Sequence, residues 1–398
     1  MSSPTIHISA SVRTLLFVVA INAMPLVQAQ TYTVLYQFRA GGHGTQPAAG
    51  VTLDTKRNSL YGTTSQDGGF AAGTVYKLSK SGEPVLHSFN GSGGDGEYNY
   101  ANGPLVMDAA GNLYGTTVSG GIYGGNCGNN GCGVVFKVTQ SGEETVLYEF
   151  QGGGDGGYPQ GSLAIDPSGT LYGSASSFGG FGAGVVYKVD QTGNESTLYT
   201  FNPSNYGDGG VPIGGVVRDS AGNLFGTTLY GGNLGEGTLF KIDSAGVETI
   251  LYSFGAYFGD ALLPYAGVSL DSKGNAYGIA YGGAQGYGAI YEVSPSGTDA
   301  VLYSFGPPPD GQPSYIGDNV VLDKKGNLYG VTSGGGTFGF GIVYKIDSTG
   351  KETILHNFGG PDGKNPIGSL VFDPKGNLYG TTSEGGAHGG GVIFRITP

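Results

Sequence analysis

The chain has 398 residues, a formal net charge of −12 and only 12% charged side chains, with 81 glycines, 27 tyrosines and no tryptophan. An acidic chain without clustered Lys and Arg excludes a nucleic-acid partner, because phosphate backbones are bound by exposed cations. Disorder and collagen-like structure are excluded as well, since the glycines recur at fixed places between apolar, strand-length segments.

Residues 1–29 hold Arg13, an apolar run at Leu15–Ala23 and the small-x-small stretch Val27-Gln28-Ala29, the pattern of a signal peptide cleaved before Gln30. The apolar run is too short to span a bilayer. Neither a lipidation cysteine at the cut nor an anchor at Ile396-Thr397-Pro398 is present, so the expectation is a soluble monomer, secreted or periplasmic or at the cell surface. Without residues 1–29 the net charge is −13, and residues 30–398 read as one domain.

One heptad, Gly-Asn-Leu-Tyr-Gly-Thr-Thr, stands at Gly111–Thr117 and again at Gly376–Thr382. Its central aromatic recurs at Tyr61, Tyr114, Tyr172, Phe225, Tyr277, Tyr329 and Tyr379, at spacings of 53, 58, 53, 52, 52 and 50 residues. Periods of this size mark propellers or solenoids. The third unit divides into Ser162–Ile165, Leu171–Ser174, Gly184–Val189 and Thr197–Phe201, each strand-length and bounded by turn residues. Four short strands repeated seven times predict an all-β, seven-bladed β-propeller of antiparallel blades. The chain opens at Thr31–Phe38 with a fourth-type segment and closes at Val392–Thr397 with a third-type one. Pairing the two would close the ring and remove its open edges, whereas a solenoid would want polar caps.

An aspartate ends the first segment of every unit: Asp54, Asp108, Asp166, Asp219, Asp271, Asp323 and Asp373. Asp followed by Gly-Asn reads as a turn in which the carboxylate accepts the turn's own amides, rather than as a metal or catalytic series. Arg218 interrupts a core position, as the partner of a nearby aspartate or as a channel residue. Cys127 and Cys132, across a Gly/Asn turn, read as a disulfide in an exported protein, because a zinc site would need more ligands.

The first-to-second and third-to-fourth connections are tight in every unit. The second-to-third and fourth-to-first loops vary and emerge together, so one face is plain and the other decorated. The decorated face carries Tyr100, Tyr123, Tyr158, Tyr206, Tyr230, Tyr257, Tyr281, Tyr287 and Tyr315, joined by Phe70, Phe178, Phe181, Phe258, Phe338 and Phe340. Such rings suit a glycan or a protein partner, or simply pack over the glycine-rich loops. The inter-blade loops repeat aspartate at Asp95, Asp155, Asp208, Asp310 and Asp362, each before Gly, as turn or inter-blade hydrogen-bond residues or, alternatively, as oxygen ligands for calcium. No other cofactor is expected. His43, His388 and Glu384 fall near the seam and are the candidates for acid–base chemistry. His87 and His356 replace tyrosine in fourth strands and read as structural.

Gly115-Thr116-Thr117, Gly133–Val138 and Gly142–Phe150 carry a unit that resembles the GloVer tandem repeat of exported bacterial proteins, and all seven units take part. The resemblance implies a repeat scaffold without an assigned chemistry. Glu292, where other units have Lys or Arg, and Ile279-Ala280, in place of Thr-Thr, set the fifth unit apart. The expected function is binding of a glycan or a cell-surface protein through the decorated face. The competing class is an extracellular polysaccharide lyase or hydrolase with its site on that face.

Overall fold

The structure, a computed structural model, describes residues 30–79, 85–91, 95–97, 103–121, 126–205, 207–312 and 319–397. The proposed signal peptide, Tyr100, Tyr123, Tyr206 and Tyr315 lie outside the described residues. Seven antiparallel sheets follow one another, with first strands at Thr52–Asp54, Val106–Met107, Ala164–Ile165, Val216–Arg218, Ser269–Leu270, Val321–Leu322 and Lys364–Phe372, which define blades 1 to 7. Blade 3 continues through Leu171–Ala175, Val185–Val189 and Glu195–Thr200, paired in sequence order. Blade 7 takes its outer strand from the other end of the chain: Thr31–Gln37 pairs antiparallel with Val392–Thr397, Thr31 opposite Thr397 and Gln37 opposite Val392. The ring closes as the phase of the repeat predicts.

Between blades lies a repeated aromatic contact. The third strand of each blade presents a ring to the phenylalanine that ends the outer strand of the preceding blade. The pairs are Phe38–Tyr76, Phe89–Phe136, Phe150–Tyr187, Phe201–Phe240, Phe254–Tyr291, Phe305–Tyr344 and Phe358–Phe394. All are edge-to-face, with centroids 4.8 to 5.4 Å apart, and all fourteen rings are fully buried. Each such pair contributes about 0.5–1.5 kcal/mol beyond the area it buries.

The heptad serves this packing residue by residue. Its Gly leaves room for the third-strand ring: a Cβ at Gly173 would lie 2.5 Å from the Tyr187 hydroxyl, and one at Gly380 would lie 2.6 Å from the Phe394 ring. Its first Thr crosses to the next blade, Thr227 Oγ1 donating to the Ala266 carbonyl at 2.6 Å and Thr381 to the Ala49 carbonyl at 2.8 Å. Its second Thr accepts from the third strand (Val392 N to Thr382 Oγ1, 3.1 Å) and donates to the loop beyond (Thr382 Oγ1 to the Glu384 carbonyl, 2.8 Å). Blade 5 replaces both: Ile279 and Ala280 are fully buried and exchange the hydrogen bonds for apolar packing.

Near the axis the first strands meet almost backbone to backbone. A Cβ at Gly161 would lie 1.9 Å from the Gly215 amide nitrogen, and one at Gly50 would lie 2.1 Å from the Ser369 carbonyl oxygen. Ser162, read from the sequence as part of the first strand, instead bridges in parallel to Gly215 of the next blade.

On the plain face each first-strand aspartate closes its turn. Asp373 Oδ1 accepts the amides of Lys375 at 2.8 Å and Asn377 at 2.9 Å, while Oδ2 takes the Asn377 side chain at 2.6 Å and the Tyr379 hydroxyl at 3.2 Å. The turn reading of this series holds. The Arg218 guanidinium lies over the Tyr172 ring of the preceding blade, 6.0 Å from the centroid, and among the described residues no ion pair joins it to an aspartate. Within a blade, third-strand lysines likewise lie over the cross-strand rings of Tyr61, Tyr114, Phe225 and Tyr329. At Glu292 the cation is gone, and the Tyr277 hydroxyl donates to the carboxylate at 3.1 Å instead.

One substitution and one deletion test these contacts. Gly173→Ala should cost about 1–3 kcal/mol in denaturant unfolding, because the Tyr187 ring must shift within a close-packed layer; an unchanged midpoint would contradict the packing. Deleting Thr31–Phe38 should leave an open edge on blade 7 and an aggregating or strongly destabilised chain, read by light scattering and calorimetry. A deletion protein that stays monomeric with unaltered melting would refute ring closure.

Candidate functional site

Both variable loop types lie on one face and are zipped together by backbone. Gly209–Gly210 of the loop entering blade 4 pairs with Tyr230–Gly231 of that blade's second-to-third loop, and Gly311–Gln312 pairs with Gly334–Gly335 in blade 6. The Gly-Gly amide donates back to the loop aspartate's carbonyl, as from Gly232 to Asp208 at 2.8 Å and from Gly283 to Asp260 at 2.9 Å. These glycines have positive φ, 75° at Gly232 and 74° at Gly283, so each loop turns tightly and holds its tip outward.

The tips carry large apolar side chains. Phe70, Phe181, Leu234 and Phe338 occupy equivalent positions in four blades and are 66, 59, 54 and 59% exposed. Phe258, in the loop between blades 4 and 5, is 95% exposed. Of the expected tyrosines, Tyr230, Tyr257 and Tyr287 are exposed, Tyr257 donating its hydroxyl to Asp299 at 2.7 Å. Tyr158 and Tyr281 are half-buried, packed on Phe178 and Tyr265 with centroids 5.7 and 4.6 Å apart.

The loop aspartates sit one to each of six blade junctions, with their carboxylates engaged by the protein. Asp208 Oδ1 accepts the Gly209 amide at 2.7 Å, and Oδ2 accepts the Asn202 amide at 2.7 Å and the Tyr199 hydroxyl at 3.2 Å. Asp155, Asp310 and Asp260 are held likewise by Tyr148, Tyr303 and Tyr252. Asp362 pairs with His356 Nε2 at 2.8 Å, and Asp95 faces His87 Nε2 at 3.5 Å. His43 takes the aspartate's place at the seam: it precedes Gly44, whose Cβ would meet Thr64 just as one at Gly363, after Asp362, would meet Thr382. His388 is exposed at a loop tip equivalent to Phe338, and Glu384 is ion-paired with Lys364 at 2.8 Å. Among the described residues no hydrogen bond or ion pair joins His43, His388 and Glu384.

A second acid at five of the junctions escaped the sequence reading. The residue that opens the next outer strand, Glu144, Glu195, Glu248, Asp299 or Glu352, comes beside the preceding loop aspartate. Burial, followed by the charge of Asp208, pushes the Glu248 carboxyl up to about 7. Burial and then Asp310 push Glu352 upward in the same way. At the junction of blades 3 and 4, Tyr199, Asp208, Asn233, Glu248 and Tyr252 line a cleft of about 510 Å³. The only signal available was the Glu of the repeated Gly-x-Glu-Thr phrase, whose partner lies in another unit.

The disulfide Cys127–Cys132 is formed and rests on Gly152 of the next inter-blade loop, where a Cβ would lie 2.7 and 2.9 Å from the two sulfurs. It points to an oxidising, extracytoplasmic compartment.

Closed seven-bladed ring, plain turn face and variable loop face define a β-propeller built from one repeated unit. The sequence matches the Gloeobacter/Verrucomicrobia repeat over residues 23–206, 122–284 and 264–398, and the chain belongs to that family. No curated protein sequence matches it. Among solved structures, it is similar to one described as the extracellular domain of a hybrid two-component system from B. thetaiotaomicron, with 12% identity and a TM-score of 0.58 over 92% of this chain. The match spans 39% of that protein's chain. A gluconolactonase from Xanthomonas campestris (15% identity, TM-score 0.41, 66% of this chain and 78% of that one) and a puromycin hydrolase (13%, 0.48, 85% and 50%) align more loosely. At such identities the likeness is one of fold.

The acid pairs set a pH dependence. Glu248 has an ordinary value of 4.5 and a folded value of about 7, so between these the folded chain holds a proton that the unfolded chain releases. Its stabilisation is complete below the lower value and lost as pH rises through the higher. Glu144, Glu195, Asp299 and Glu352 are also raised, while His356, lowered chiefly by burial, acts in the opposite sense. The turn aspartates, lowered because hydrogen bonds outweigh their burial, lose stabilisation in stronger acid, as at Asp108 and Asp373. Tm should therefore fall from about pH 5 to about pH 8, and less so in a Glu248→Gln/Glu352→Gln variant. A Tm that rises across that interval would contradict this assignment.

Proposed function

We propose that the protein is an extracytoplasmic binding protein, exported through residues 1–29 as one propeller domain over residues 30–398, that recognises a glycan or a protein of the cell surface through its loop face. The observation that carries this reading is the set of exposed apolar tips, Phe70, Phe181, Leu234 and Phe338, held at equivalent positions by glycine-rich hairpins. Large apolar side chains displayed together on one face are a cost to a soluble protein unless a partner covers them. Tyr230, Tyr257 and Tyr287 add rings with polar tips to the same face, which suits sugar hydroxyls or a peptide backbone. The opposite face is consumed by hydrogen-bonded turns, so the variation available for recognition is concentrated among the loops.

The test is binding of the exported chain to envelope polysaccharides on an array and to intact cells, with a variant carrying Phe70→Ser, Phe181→Ser, Leu234→Ser and Phe338→Ser. These exposed substitutions should leave Tm nearly unchanged and weaken binding by at least about tenfold, since a buried aromatic anchor is commonly worth 2 kcal/mol or more. Equal binding by the variant, or binding confined to the plain face by protection mapping, would overturn the proposal.

A further inference from the structure

The junction between blades 1 and 2 departs from the others in one respect. At four junctions the outer-strand residue facing the loop aspartate is a tyrosine, Tyr148, Tyr199, Tyr252 or Tyr303, whose hydroxyl donates to that aspartate at 2.8 to 3.2 Å. The phenol proton satisfies the carboxylate. At the first junction the residue is His87, and its Nε2 lies 3.5 Å from Asp95 Oδ2, beyond a good hydrogen bond. Glu144 completes the group, and the ligand atoms of His87, Asp95 and Glu144 all lie within 4.8 Å of one another.

Two of these atoms are orphans. His87 Nε2 and Glu144 Oε1 are both fully buried and have no hydrogen-bond partner. The equivalent acid oxygens of Glu248, Asp299 and Glu352 are unpaired as well, so what this junction adds is a buried, unpaired imidazole nitrogen beside the acid, and buried polar atoms are almost always paired. The side chains are already oriented. Asp95 Oδ1 accepts the Gly96 amide at 2.7 Å and Oδ2 the Asn90 amide at 3.0 Å, while the His87 ring packs edge-on to Phe89 at 5.0 Å.

The other histidine of this kind supplies an internal contrast. His356 bonds Asp362 directly at 2.8 Å, and the position of the glutamate is taken by Tyr32, which stacks on the imidazole at 3.7 Å and donates its hydroxyl to the Asp362 carbonyl at 2.6 Å. There the histidine is satisfied and a third ligand is missing. Histidine and glutamate coincide at the first junction alone among the described ones.

We propose that His87, Asp95 and Glu144 form a binding site for a divalent transition metal ion of the zinc class. One imidazole nitrogen and two carboxylates are a donor set suited to zinc, whereas calcium takes oxygen ligands. Ligand atoms of a tetrahedral site with bonds of about 2.0 Å stand about 3.3 Å apart, close to the His87–Asp95 separation of 3.5 Å, so binding would draw Glu144 in from within 4.8 Å. The bound ion would tie the outer strands of blades 1 and 2 through the loop between them.

The experiment uses the exported chain stripped with a chelator and then titrated with zinc by calorimetry, with Tm followed in parallel. One zinc per chain is expected, with a Tm that climbs as free zinc increases, and no equivalent uptake of calcium. His87→Tyr installs the residue that the other blades carry, so it should fold as the parent does and lose the zinc. Glu144→Gln keeps the shape and should weaken binding by more than the roughly 10–100-fold seen when a ligand's supporting partner is lost. No zinc uptake by the parent chain overturns the proposal. So does parental affinity in either variant, which would move the ion to surface histidines.

Discussion

The edge-to-face pair between a third-strand ring and the preceding blade's phenylalanine is the contact on which the ring depends. It recurs at every junction, and each blade contributes one partner forward and one back, so no blade can bury its own rings alone. The Phe38–Tyr76 pair makes closure a condition of the whole, because Phe38 reaches blade 1 only when Thr31–Gln37 has docked on Val392–Thr397. Removing that strand would expose both an edge and a ring. Cooperativity here comes from geometry rather than from any single strong bond.

Around this contact the repeat sorts its residues by layer. The heptad's glycine makes way for the ring, its first threonine reaches the next blade and its second ties the middle strands. At the loop end the aspartate holds the chain's re-entry, and at the turn end another aspartate closes the hairpin. The loops beyond those pins are free to vary because neither layer uses their side chains. The same pins bring two carboxyls together at five junctions, and burial raises the pKa of the outer-strand acid at each, to about 7 at Glu144, Glu248 and Glu352. That raised pKa is the cost of using an acid as a repeated hinge bolt.

Much of this was legible from the sequence. Spacing of the heptad gave seven units, their phase gave the closing strand, and Asp-x-x-Gly-Asn identified the turns by local chemistry that needs no tertiary partner. The disulfide followed from two cysteines across a short turn. What stayed hidden involves residues a whole unit apart. The heptad glycine looks like a turn residue until Tyr187 or Phe394 is seen passing over it. Arg218 reads as a core intrusion until Tyr172 of the neighbouring blade supplies its face. Glu248 and Asp208 stand 40 residues apart in different blades, and no local pattern pairs them. His43 escaped as the seam's substitute for the loop aspartate because the N-terminal strand is displaced from its own blade in sequence. Of the tyrosines among the described residues, Tyr230, Tyr257 and Tyr287 are exposed, whereas Tyr158 and Tyr281 spend their rings on packing.

Because the repeat sets a rule, exceptions carry the information. Blade 2 has two of them. Its second-to-third loop is lengthened and carries the Cys127–Cys132 bridge, which rests on Gly152 of the following inter-blade loop. On its other flank the Gly121 amide donates to the Asp95 carbonyl at 3.2 Å, the same aspartate that faces His87 and Glu144. A covalent brace thus stands on one side of the longest second-to-third loop, and three converging ligand atoms stand on the other. Both features lie at the loop end of blade 2, so that blade departs from the repeat where the chain is freest to vary.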